Sequence, residues 1–116
     1  MTGGDPRLVD LARLAEMMSD RALAPVAALR AEIAAAIEVR GALARRRAAL
    51  ARDTADPVLA ALMARQAERL RRQEADTLSE LARLQAELER AKAAARPAYG
   101  RKLALERLAG EARRRR

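Results

Sequence analysis

The basic side chains Arg101, Lys102, Arg107, Arg113, Arg114, Arg115 and Arg116 are the residues of this sequence with the clearest capacity for recognition. Within residues 97–116 only Glu106 and Glu111 oppose them. Clustered guanidinium groups attract anions, so acidic protein surface and nucleic acid are the partner classes they suggest. The same cations at a helix C-terminus also complement the macrodipole, which is their purely structural role. Nucleic-acid binding is the weaker of the two partner readings, because no stacking aromatics interleave with the bases. Tyr99 is the one aromatic residue, and an isolated Tyr beside a proline is expected to pack over a helix joint.

The carboxylates suggest no catalysis. Glu74 and Asp76 are two residues apart, as are Glu87 and Glu89, and side chains at that spacing diverge on a helix. The chain has no His and no Cys. That removes disulfides, thiolate chemistry, the usual zinc and haem ligands and the commonest general base. There is no Gly-rich phosphate loop. No catalytic, cofactor-binding or metal-binding residue is expected, and the chain reads as non-enzymatic.

The elements that must carry these residues are helices. Hydrophobic residues make up 51% of the chain and charged residues 34%, while aromatics are 1%. Much of the apolar share is Ala, which suits narrow helix–helix seams better than a thick core. Asp5-Pro6 and Asp56-Pro57 are helix starts: Asp at N-cap accepts bonds from the first-turn N–H groups, and Pro at the first helical position presets φ. The sequence thus predicts an all-α fold, a long antiparallel two-helix coiled-coil hairpin. Residues 1–5 form a disordered N-terminus, and residues 6–116 form one helical hairpin. Its parts are a helix over 6–52, a turn over 53–56, a helix over 57–95 and a basic helical segment over 97–116. Pro25, deep in the first helix, predicts a kink there, and Arg96-Pro97 predicts a break, since each Pro removes a backbone donor; beyond it a kinked continuation of the second helix and a third short helix fit equally well.

Apolar residues spaced by threes and fours mark the seam. On the first helix they are Leu11, Leu14/Ala15, Met18, Ala22, Val26, Leu29, Ile33, Ala36/Ile37, Leu43 and Leu50. On the second they are Leu59, Leu62/Met63, Gln66, Leu70, Gln73/Glu74, Thr77/Leu78, Leu81, Leu84, Leu88 and Ala91. Folding back over the expected turn sets Leu50 against Leu59, Leu29 against Leu81, Met18 against Ala91 and Leu14 against Ala95. Arg40 and Arg47 also fall on the seam, facing Gln66, Leu70 and Gln73. That stretch is either locally loose or a partner surface.

The layout resembles the FliJ/YscO-type stalk proteins of type III (flagellar) export systems. The resemblance is carried by the heptad stretch Leu8 to Leu50, the turn at Asp53–Pro57, the stretch Leu59 to Ala95 and the basic end from Arg101 to Leu108. It implies an antiparallel coiled coil whose partners are an export ATPase and an export-gate component. It also implies that the end bearing both termini sits in the ATPase ring. On this reading the chain is a cytoplasmic stalk or adaptor in protein export, without cofactor and with no membrane span. Its partner-binding residues are Arg101, Lys102, Arg107 and Arg113 to Arg116. The alternatives are an accessory nucleic-acid binder using the basic tail and a self-assembling structural coiled coil. No secretory leader is expected, because residues 1–20 contain acids and no apolar run followed by a cleavage site.

Overall fold

The structure, a computed structural model, describes residues 5–51 and 54–115. The expected disorder of residues 1–4, the helix end at Arg52, the turn residue Asp53 and the terminal Arg116 lie outside the described residues. The fold is all-α: α1 spans Pro6–Ala49, α2 spans Pro57–Arg114, and the two are the arms of a helical hairpin. No strand occurs among the described residues.

Both helices begin as their sequences dictate. Asp5, expected in the disordered N-terminus, instead caps α1: its Oδ1 accepts from the Arg7 N–H at 2.9 Å. Asp56 Oδ1 accepts from the N–H of Val58 at 3.0 Å and of Leu59 at 3.4 Å. Each carboxylate thereby satisfies first-turn donors that the helix cannot, with favourable charge for the macrodipole. Thr54 Oγ1 accepts from the Asp56 N–H at 3.2 Å and sets the approach to α2. At its other end α1 tightens, with Leu50 N–H donating to Arg47 O and Ala51 N–H to Ala48 O, both at 3.1 Å. These i to i+3 bonds satisfy terminal carbonyls and end the helix at Ala49, earlier than expected.

The two prolines do not end helices. α1 continues through Pro25, and α2 continues through Pro97 to Arg114, so the break expected at 96–97 and the separate segment beyond it are corrected to one helix. An interior Pro costs about 3 kcal/mol in an isolated helix. Here the buried residues Ala95 and Ala98 bracket Pro97, and Leu105, Ala109 and Ala112 carry the half-buried stripe onward. Packing on both sides of the proline outweighs a local preference of the residue before it.

Two compact units divide the chain. The terminal unit pairs Met1–Leu29 with Glu87–Arg116. Leu8 and Ala12 share a groove with Ala109 and Glu106, an order that makes the pairing antiparallel. Its seam differs from the expected one. On α1 the shielded positions are Leu8, Ala12, Ala15, Ser19, Ala22 and Val26, a strict alternation of four and three. Leu11, Leu14 and Met18, the larger residues chosen from the sequence, remain exposed. On α2 the shielded positions are Leu88, Ala91, Ala95, Ala98, Lys102, Leu105, Ala109 and Ala112. Leu14, Ala15 and Met18 line one groove with Ala98, Arg101 and Leu105, about two helical turns beyond the expected partners Ala91 and Ala95. Small side chains at Ala12, Ala15, Ser19 and Ala22 on one arm and Ala91, Ala95 and Ala98 on the other permit close approach, with Leu8, Val26, Leu88 and Leu105 also in the contact, while Leu11, Leu14 and Met18 are turned out of it.

The central unit is Arg30–Ala86. Leu43, Leu70, Leu81 and Leu84 are its buried apolar residues, with Leu70 and Leu84 each only 2% exposed. Burial of a Leu side chain stabilises by roughly 1.5–3 kcal/mol. Near the turn, Leu50 shares a groove with Ala60, Met63, Ala64 and Ala67. Val58, Leu59 and Leu62 are exposed, so Leu50 does not face Leu59. The stripe on α2 runs through Met63, Ala67, Leu70, Glu74, Thr77 and Leu81. It lies one residue, or about 100°, around the helix from the expected Leu59–Leu62–Gln66 start.

Candidate partner-binding surface

The bases expected to bind a partner are spread around α2. Arg101, Arg107, Arg113, Arg114 and Arg115 are exposed, while Lys102 is half-buried on the seam stripe. Arg101 Nε donates to the Pro97 carbonyl at 3.2 Å, which lays its stem along the helix. Lys102 Nζ sits 5.9 Å from the centre of the Tyr99 ring, within cation–π reach. Tyr99 thus holds a neighbouring cation and remains exposed itself. Arg101 and Arg113 line different grooves of the terminal unit, so the structure does not gather the basic residues into one patch.

The groove at Arg101 is the feature that a reading of charges alone misses. It encloses about 130 Å³ and is lined by Leu11, Leu14, Ala15, Met18, Ala98 and Leu105 beside the guanidinium. Val9, Met17, Leu103 and Leu108 are further exposed apolar residues of the same unit. Large aliphatic residues on a polar helical surface mark contact sites when they adjoin. The signal was present in the sequence as an excess of apolar positions on α1. Two adjacent stripes can be drawn there, Leu8–Ala12–Ala15–Ser19 and Leu11–Leu14–Met18, and a two-helix seam buries only one.

Inside the terminal unit, Ser19 is fully buried with 0% exposure, and its hydroxyl has no hydrogen-bond partner among the described residues. Ser19 is a small side chain on the same shielded stripe as Ala15 and Ala22. Thr77, by contrast, is half-buried and donates its hydroxyl to the Gln73 carbonyl at 2.9 Å.

The central unit carries a charged contact that joins the two arms. Arg47 Nε donates to Glu74 Oε2 at 2.7 Å and Arg47 Nη2 to Glu74 Oε1 at 3.3 Å, a forked pair. The hydrogen bonds from Arg47 hold the Glu74 carboxyl below its ordinary range, against the opposing effect of burial. The charges of Arg47, Arg40 and Arg71 add to the lowering. This resolves the expected loose stretch in part: Arg47 faces Glu74, one residue past Gln73, and is held. Other ion pairs lie along α2, between Glu68 and Arg71 or Arg72, Glu80 and Arg83, and Glu89 and Lys92. The bond from Arg83 holds the Glu80 carboxyl below its ordinary range, again with burial opposing.

Among the described residues no group of three or more acidic side chains is placed to hold a metal ion. No helix there is long and apolar enough to cross a membrane. Comparison of the chain with protein-family models, curated proteins and solved structures gives no match.

Proposed function

We propose that this chain is a non-enzymatic coiled-coil interaction protein, a cytoplasmic stalk or adaptor of a flagellar or related type III protein export ATPase. It works by contact and positioning. The observation that carries the interaction reading is the inverted seam of the terminal unit. Small residues occupy the contact between the arms, and Leu11, Leu14 and Met18 are left on the surface beside Arg101. A hairpin that had only to fold would gain stability by burying the larger side chains instead. The assignment to export rests on the hairpin architecture together with the exposed bases of its terminal unit, features that the stalk resemblance leads one to expect.

The test is co-purification of the full chain with the export ATPase of its own cell, paired with deletion of its gene. The proposal expects stable co-purification and loss of motility or secretion. Normal motility and secretion after deletion would contradict it. A nucleic-acid role has less support, because no stacking aromatics interleave with the basic residues.

A further inference from the structure

The two grooves that flank the seam of the terminal unit differ in charge. At the heptad sites of the residues lining the Leu14–Arg101 groove, the charged side chains are Arg7 and Arg21 on α1 and Arg101 and Arg115 against Glu87 on α2. At the heptad sites lining the opposite groove, Lys92, Lys102 and Arg113 stand against Asp5, Glu16 and Glu106, which balance. Its groove contains both signs, with Asp5 and Glu106 beside Arg113. The apolar floor of Leu11, Leu14, Met18 and Leu105 therefore lies on the basic side.

We propose that this groove seats one amphipathic helix of a partner protein, apolar on the buried face and acidic along both edges. The inference rests on the interaction reading above and names the partner's chemistry. Leu11, Leu14 and Met18 recur at three- and four-residue spacing, so they offer holes at the repeat of an entering helix. Adding a third helix would shield the large side chains that two helices leave outside. The Arg rim selects acidic flanks and disfavours basic ones, since like charges brought together at a contact are penalised. A second copy of this chain is the poorer occupant: it would bring the same Arg-rich groove edge against this one.

The experiment uses the full-length protein and two labelled synthetic helices of about 20 residues, long enough to form helix on docking. Both have Leu at alternating three- and four-residue spacing; one has Glu at the flanking positions and the other Lys. Fluorescence anisotropy is read at low salt. The Glu-flanked helix should bind and the Lys-flanked helix should not. Leu14→Glu should abolish binding, and Arg101→Glu should weaken it by about tenfold or more, as expected for a rim cation reversed in sign. Val9→Glu, on the other flank, should leave it unchanged. Circular dichroism verifies that each variant is folded, and sedimentation equilibrium gives the oligomeric state.

Equal binding of both helices, no binding of either, or binding that survives Leu14→Glu would each overturn the proposal. So would a dimer that Leu14→Glu dissociates, which would give the groove to a second copy. None of these outcomes decides the export assignment, which stands or falls on co-purification and deletion.

Discussion

Arg47 of α1 and Glu74 of α2 are joined by a forked contact, 2.7 Å at its shorter bond, at positions where a coiled-coil seam ordinarily carries apolar side chains. Glu74 retains 15% of its side-chain exposure and Arg47 40%, so the carboxylate is the more enclosed partner. The pair fixes which residues of the two arms face each other in the central unit, where the apolar seam is thin.

Its contribution depends on pH in one direction. The folded-state pKa of Glu74 lies below its unfolded value, so the stabilisation is present above the unfolded value and is lost as pH falls through the folded one. A double-mutant cycle on Arg47→Ala and Glu74→Ala should show favourable coupling at neutral pH. The coupling should fade on acidification below about pH 4. Coupling that persists unchanged well below that range would contradict the assignment.

Ser19 offers a gain from a deletion. A buried hydroxyl without a partner costs about 1–3 kcal/mol, and Ala is the better helix former. Ser19→Ala should therefore raise stability by about 1 kcal/mol, or about 4–8 °C in Tm for a domain of this size. A fall in Tm would show that the hydroxyl is bonded in solution.

The continuity of α2 through residues 97–100 is open to a similar test. A Cβ at Gly100 would meet nothing within 4 Å, so Gly100→Ala should stabilise by about 1 kcal/mol. Pro97→Ala restores a backbone donor and should add at most about 3 kcal/mol. If α2 were broken at this point, both substitutions would be close to neutral in urea unfolding.

At the turn, Asp56→Ala removes the acceptor for the Val58 and Leu59 N–H groups. The expected loss is about 1 kcal/mol, read as a lower urea midpoint at constant m. Asp56→Asn should recover most of it, and a variant with Ala that matches the parent would remove the cap from the account.

The helix starts were legible because capping is local: Asp-Pro supplies both an acceptor and a fixed φ within two residues. The hairpin was legible from the turn and the repeat. Pro97 misled for the complementary reason, since packing of Ala95 and Ala98 lies outside any local window. In the terminal seam Ala15, Ala22, Val26 and Leu29 fall where the repeat places them, and Leu11, Leu14 and Met18 do not, because size favours them over Ala12 and Ser19 in a spacing that both stripes satisfy. Near the turn Met63 lies on the stripe as the repeat predicts, but Leu59 and Gln66 do not, and Ala67 takes the place of Gln66. The Arg101 groove could not be found until that choice was corrected, because its walls are the residues wrongly assigned to the interior.

The inverted seam is tested most directly by thermal unfolding of Ala15→Glu and Leu14→Glu side by side. Ala15 is 7% exposed and Leu14 52%. A carboxylate forced into the seam at Ala15 should unfold the terminal unit or lower Tm by ten degrees or more, at about 3 kcal/mol or more of lost stability. Leu14→Glu should melt within about 3 °C of the parent, as a surface change does. The reverse order, with Leu14→Glu unfolded and Ala15→Glu intact, would contradict the account.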